Sequence, residues 1–166
     1  MKSLLERRSI RKYKDEKIKP EIVKDLLRAA MSAPSAANQK PCYFIVIDDR
    51  VTLEAMAAFH PNAGMLKNAP LAIVVCATNE LGAFKDFWVQ DCAAASENIL
   101  TAVQEKGLGA TWIGVYPFKK HIEPTKKLFK LPENITPFSF ISIGYPDETK
   151  KIVDRYEEER VHYNTW

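Results

Sequence analysis

Apolar residues recur along this chain in two alternating rhythms. After a charged, extended-looking stretch over Lys12–Lys19, Ile22, Val23, Leu26, Leu27 and Ala30 fall at the spacing of one helical face. Pro20 suits the first position of that helix, where its missing N–H has no intrahelical partner to lose. The pattern stops near Ala33-Pro34, because proline disfavours helix in the residue before it. Tyr43–Ile47 is β-branched and aromatic, ends at Asp48-Asp49, and predicts a strand. Thr52–Phe59 predicts a helix. Leu71–Ala77 is continuously apolar and predicts a strand buried on both faces.

The longest helical pattern spans Phe84–Lys106 and is stopped by Gly107. Its apolar residues, from Trp88 through Cys92 and Ile99 to Val103, spread around most of the circumference, which predicts a central helix with little solvent face. Its Ala and Ser residues permit close approach by another helix. Ala110–Val115 and Phe138–Ile143 predict two more strands, and Thr125–Lys130 a short helix before Leu131-Pro132. A short first helix fits Ser3–Arg8. About four strands interleaved with helices predict an α+β fold, a layered sheet in one domain over residues 1–166. Residues 147–166 form a charged C-terminal arm that ends in the aromatics Tyr163 and Trp166.

Composition narrows the function. Hydrophobic residues make up 46% of the 166, enough for a full core. Lys and Arg number 24 against 21 Asp and Glu, a net +3 that is too balanced for a dedicated nucleic-acid binder. The excess is local: residues 1–19 hold eight basic side chains and three acidic ones, which fits a small anionic ligand better than a polyanion. Cys42, Cys76 and Cys92 are widely spaced, without metal-ligand spacing, and read as buried free thiols in the core. His60, His121 and His162 are isolated and read as surface or capping residues. No apolar stretch is long enough to span a bilayer. The charged N-terminus lacks the pattern of a secretory leader, so a cytoplasmic protein is expected.

Arg7-Arg8-Ser9-Ile10-Arg11 is the densest chemical feature. Guanidiniums match phosphate oxygens two at a time, and Ser9 can add a hydroxyl to the same anion site. Taken alone, the stretch fits a solvated basic helix end better than an anion site. Three other segments fall in order behind it. The first is the polar loop from Ala33-Pro34-Ser35 through Asn38 to Pro41. The second is the long helix with Gln90-Asp91-Cys92 near its start, followed by Gly107-Leu108-Gly109 and Trp112-Ile113-Gly114. The third is Ile143-Gly144-Tyr145-Pro146, with Arg155 downstream.

This ordered set resembles the nitroreductase family over nearly the whole chain, in a short form without large insertions. The resemblance implies a three-layer fold with a mostly antiparallel sheet of about four strands, flanked by helices and joined by a strand from a partner's tail. It implies an FMN cofactor reduced by NADH or NADPH, with the chemistry on the flavin and no catalytic side chain. The acceptor would be a nitroaromatic, a quinone or a similar small molecule, reduced by a ping-pong mechanism. Arg7, Arg8, Ser9 and Arg11 resemble the residues that hold the FMN phosphate, ribityl chain and pyrimidine edge, and Arg155 a tail arginine at the phosphate. Pro34, Ser35 and Asn38 resemble a loop that reaches the flavin from the other subunit. Ile113 and Gly114 resemble the strand end facing the reactive ring, with Gln90 nearby. A homodimer with FMN at its interface follows, with no role for nucleic acid or membrane. Little room for a lid exists between residues 78 and 90 or between 115 and 135, so a small or open pocket is expected. Phe84, Phe87 and Tyr116 are candidates for its wall. The short loops keep a second possibility in play, a flavin-binding redox sensor with slow turnover.

Overall fold

Leu71–Thr78 (β2) is the strand around which the other elements are laid. A computed structural model describes residues 1–80, 82 and 84–166. It places β2 inside a four-stranded sheet of order β1-β2-β4-β3, in which β1 is Cys42–Ile47, β3 is Gly109–Gly114 and β4 is Ile135–Gly144. All three neighbouring pairs are antiparallel. Side chains alternate across a strand, and both faces of β2 are covered. Leu71, Ile73, Val75 and Ala77 pack with Leu26 and Ala30 of α2 (Pro20–Met31) and with Cys92, Ile99 and Val103 of α4 (Trp88–Glu105). Ala72, Val74 and Cys76 pack the other way, on Leu53 and Met56 of α3 (Arg50–Phe59) and on Leu66 in the turn Gly64–Lys67. Ile122, Leu128 and Phe129 of α5 (Lys119–Phe129) lean on the same layer. The result is helices, sheet, helices: the three-layer α+β arrangement expected. Each fully buried aliphatic side chain removed from water contributes about 1.5–3 kcal/mol, which is why a strand reading LAIVVCAT can only be central.

Local chemistry sets the element ends. Asp49 caps α3 by accepting from the Thr52 backbone N–H at 2.8 Å and its hydroxyl at 2.7 Å. The helix α4 starts at Trp88 rather than at Phe84, because the Phe84 carbonyl accepts the Phe87 N–H and Lys85–Phe87 forms a tight 3-10 turn. Two elements run past a proline that the sequence pattern treats as a boundary. The helix α5 begins at Lys119 and carries Pro124 inside it. Its buried side, His121 and Thr125, outweighs the lost backbone bond, and the Thr125 hydroxyl donates to the His121 carbonyl at 2.7 Å. The strand β4 begins at Ile135 and contains Pro137, which sits where the pairing with β2 shifts register, so its missing N–H breaks no regular ladder.

A short helix α1 (Lys2–Glu6) opens the chain and packs on α4. The stretch 115–135 is filled largely by α5 rather than by a loop over the sheet. The stretch 78–90, expected to be too short for a lid, includes residues 81 and 83, which lie outside the described residues. After β4, residues 147–166 leave the body with one 3-10 turn, Glu158–Arg160. Residues 151–166 are all exposed. No helix among the described residues is long and apolar enough to cross a membrane.

Candidate active site

The N-terminal arginine segment is laid against β3 by two glycines. Ser9 bridges Ala110 in parallel, and the Ile10 N–H donates to the Ala110 carbonyl at 2.9 Å. A Cβ on Gly109 would stand 2.6 Å from Ile10 Cβ, so only glycine admits this approach. Gly144 likewise makes room for Tyr13, whose ring lies 2.7 Å from where a Cβ would be. The Tyr13 hydroxyl donates to the Ile10 carbonyl at 2.6 Å and accepts from the Ser142 hydroxyl at 2.7 Å. Burial pushes its phenol up to about 12, so it remains a donor at neutral pH. Thr111 adds a second hydroxyl to the Ile10 carbonyl at 2.6 Å.

Beyond this anchor the chain opens onto a cavity of about 680 Å³, within the range of small-molecule sites. Arg11 and Lys12 form one wall, Thr111-Trp112-Ile113-Gly114 another, and Pro61 to Met65 a third, with Glu148 and Lys150 at the rim. Arg11, Ile113 and Gly114, three residues picked out by sequence, therefore meet in one place. No heavy atom lies within 4 Å of where a Cβ on Gly114 would stand, so the strand end presents bare backbone to the cavity. Glu148 is committed elsewhere. One carboxylate oxygen accepts the Arg11 N–H at 2.6 Å and the Lys12 N–H at 3.2 Å, and the other pairs with Lys150 at 2.6 Å. Lys150 first, and then the Arg11 N–H, hold this carboxyl below its ordinary range. The Arg11 and Lys12 side chains are exposed and keep their charge for a ligand.

The other predicted site residues lie apart from this cavity within one chain. Arg7 is half-buried beside Glu97 of α4, with Nε 3.4 Å from the carboxylate, and that Nε is buried without a hydrogen-bond partner. Arg8 is saturated by carbonyls: Val153 at 2.7 Å, Arg7 at 2.7 Å, Leu5 at 3.1 Å and Lys151 at 3.2 Å. It fastens the start of the C-terminal arm. Ser9 serves the sheet edge through its backbone, while Arg155 and Gln90 are exposed.

Pro34 and Ser35 line a second cavity of about 390 Å³, together with Lys40, Cys42 and Asp91. The loop above it is held in an unusual shape. Ala37, Asn38 and Lys40 have φ of 48°, 56° and 48°, a left-handed region that side chains disfavour. Asp91, buried in the first turn of α4, accepts from the Ala36 N–H at 3.0 Å and from Gln39 Nε2 at 3.3 Å. Ser35 Oγ accepts the Lys40 N–H at 3.0 Å. Asn38 is left exposed at the tip. Asp91 as the loop's holder is absent from the sequence-based list, and its only signal there is a carboxylate near the start of an apolar helix.

Two histidines correct the expectation that they sit singly at the surface. His60 and His121 are buried, and their rings lie against each other at a 33° tilt with centroids 4.0 Å apart. His60 Nδ1 accepts the Asn62 N–H at 3.2 Å, so Nε2 carries the proton and donates to the Gly114 carbonyl at 2.9 Å. His60 thus holds the end of β3 that lines the larger cavity. Burial first, then the neighbouring His60 and Lys120, holds the His121 imidazole below its ordinary value. Trp88 packs edge-on to Tyr116 with centroids 4.7 Å apart, and Trp112 to Phe138 at 5.6 Å. Phe84 and Phe87 form an exposed edge-to-face pair beside the start of α4. No group of three or more His, Cys, Asp and Glu that could hold a metal occurs among the described residues.

Comparison with known proteins gives a consistent result. The model of the nitroreductase family matches residues 4–60 and 57–145. A protein of Methanothermobacter thermautotrophicus with the provisional name NADH dehydrogenase/NAD(P)H nitroreductase is 43% identical over 166 residues, covering 100% of this chain and 87% of its own. The structure of an FMN-dependent nitroreductase from Clostridium difficile superposes with a TM-score of 0.93 at 35% identity, covering 100% of both chains. A protein of Desulfovibrio desulfuricans, provisionally named a nitroreductase and solved in complex with FMN, superposes with a TM-score of 0.85 at 28% identity, covering 99% of this chain and 96% of its own.

Proposed function

The chain belongs to the nitroreductase family of FMN-dependent oxidoreductases, and from that premise we propose that it binds FMN over the Thr111–Gly114 strand end and uses NADH or NADPH to reduce a nitroaromatic, a quinone or a similar small acceptor. The observation that carries this reading is the convergence of Arg11, Ile113 and Gly114 on one cavity. The residues present suit the cofactor. A flat ring needs an approach free of side chains, and Gly114 leaves one. A phosphate needs cations, and Arg11 and Lys12 line the cavity. When bound, FMN supplies the two-electron chemistry, taking hydride equivalents from a nicotinamide and passing them to the acceptor.

The protein's own part is to hold and to tune. Arg11 places a fixed positive charge at the cavity, which favours any bound group that gains negative charge. Glu148 fixes the backbone of Arg11 and Lys12 without neutralising their side chains. His60 ties the Gly114 carbonyl down and keeps the strand end from moving when ligands exchange. One accessible cavity serves both donor and acceptor in turn, so the kinetics are ping-pong. Pro34 and Ser35 face a different cavity of the same chain, and Asn38 is exposed at the loop tip. That placement suits a homodimer in which each loop completes its partner's flavin site. In this reading residues 1–166 are one cytoplasmic FMN-binding domain, and 147–166 are an arm that crosses to the partner. Tyr43 and Val46 on the edge strand β1, and Tyr156, Tyr163 and Trp166 on the arm, are exposed hydrophobics of the kind a dimer covers.

Fluorescence titration with FMN tests the site. Losing one charge-assisted contact costs about 1.5–3 kcal/mol, so Arg11→Ala weakens FMN binding by about tenfold or more while the circular dichroism spectrum is unchanged. Unaltered affinity in that variant removes Arg11 from the site. Steady-state rates with varied donor and acceptor give parallel double-reciprocal lines, and intersecting lines contradict the shared-site mechanism.

A further inference from the structure

Cys42 and Cys92 are fifty positions apart in sequence and read there as unrelated core thiols. In the fold their sulfurs lie 3.5 Å apart. Cys42 is the first residue of β1, and Cys92 sits early in α4. Their exposure differs sharply. Cys92 is fully buried, whereas Cys42 is half-buried and lines the 390 Å³ cavity shared with Pro34, Ser35, Lys40 and Asp91. Cys76, the third thiol, belongs to the opposite face of the sheet, among the α3-side residues. Only its backbone carbonyl reaches Cys92 Sγ, at 3.8 Å.

We propose that Cys42 and Cys92 are a peroxide-sensitive thiol pair, with Cys42 the thiol that meets the oxidant and Cys92 the thiol that closes the disulfide. This does not rest on the flavin reading. The thiolate of Cys42 attacks one oxygen of hydrogen peroxide and breaks the O–O bond, leaving Cys42 as a sulfenic acid; the hydroxide that leaves takes up the proton the Cys42 thiol gave up and departs as water. The Cys92 sulfur then attacks the Cys42 sulfur, the S–O bond breaks, and a second water leaves with the Cys92 proton. Two electrons pass from the two thiols to the peroxide. The sulfurs need to draw in from 3.5 Å to about 2.05 Å.

The surroundings favour this order of events. The contact with the Cys92 sulfur holds the Cys42 thiol below its ordinary value, against the opposing effects of burial and Asp91. The same contact, with burial, pushes Cys92 upward. Burial pushes Cys76 up to about 12, where it is inert at neutral pH. Lys40, the one cation among the described residues that line the cavity, adds positive charge there. Closure has a structural consequence. Asp91, the neighbour of Cys92, already holds the loop at Ala36 and Gln39, and Cys42 follows directly on that loop. A disulfide would tie the loop's outgoing strand to the helix that supports it.

The test treats the reduced, full-length holoprotein with stoichiometric hydrogen peroxide, then counts thiols after denaturation and maps the digest. The expected result is a fall from three thiols to one, a loss of two hydrogen atoms in the intact mass, and a peptide joining residues 42 and 92, all reversed by dithiothreitol. Cys92→Ser stops at the sulfenic acid on Cys42, trapped by dimedone, and Cys76→Ser closes like the wild type. Three thiols remaining, a crosslink through Cys76, or oxidation confined to methionine overturns the proposal. The wild-type peptide map decides the matter even where a serine variant folds poorly.

Discussion

Glu148 does for the N-terminal segment Ser9–Lys12 what a cap does for a helix: its carboxylate accepts two successive backbone N–H groups, from Arg11 and Lys12, and pairs with Lys150. Its folded value lies below the ordinary 4.5. The contribution to stability is therefore complete above that value and is lost as pH falls through the lower, folded one. Glu148→Gln flattens the fall of the urea midpoint below pH 4.5 while leaving the slope at neutral pH unaltered. A variant whose acid profile runs parallel to the wild type's contradicts the assignment. At this scale the sequence was only partly legible. Arg11, Ile113 and Gly114 declare themselves by type and order. Glu148, His60 and Asp91 do not, because a carboxylate or imidazole bound to backbone leaves no motif: its partners are N–H and C=O groups that every residue carries. The pairing of Cys42 with Cys92 was hidden for a different reason, since only the fold brings the start of β1 to the start of α4.

Among the elements, β3 and the segment Ser9–Lys12 act as one unit, and the glycines at the two ends of β3 do opposite jobs. Gly109 is filled space: an added methyl meets Ile10 at 2.6 Å, and Ile10 is itself locked by its backbone bond to Ala110. Gly109→Ala destabilises the protein by about 1–3 kcal/mol, the usual cost of overpacking, and loosens the arginine segment with it. Gly114 is open space, with no positive φ, so Gly114→Ala folds with the wild-type melting temperature but loses FMN affinity, because the methyl points into the cavity. Thermal melts paired with FMN titration separate the two, and equal melting temperatures for both variants would contradict this division. Element boundaries were legible wherever propensity and packing agree, as at Pro20 and Gly107. They were misjudged at Pro124 and Pro137, where tertiary contacts or a register shift make a proline tolerable inside an element. The burial of β2 on both faces was legible in its pattern, since a strand with no polar face needs cover on both sides, while the three-layer arrangement was what the family resemblance implied.

For the molecule as a whole, the single chain assembles only part of the proposed site. Arg11 and the β3 end share one cavity, the Pro34–Asn38 loop stands at another, and the arm runs outward with its aromatics exposed. Two copies resolve this arrangement if loop and arm cross to the partner, and the flavin then sits where the two chains meet. The most direct measurement is the visible absorbance spectrum of the purified protein after incubation with FMN and gel filtration, recorded before and after anaerobic NADH or NADPH. The account predicts a retained yellow flavin spectrum that bleaches on adding either nicotinamide and returns with an acceptor. A colourless protein, or a bound flavin that stays oxidised with both nicotinamides, would contradict it.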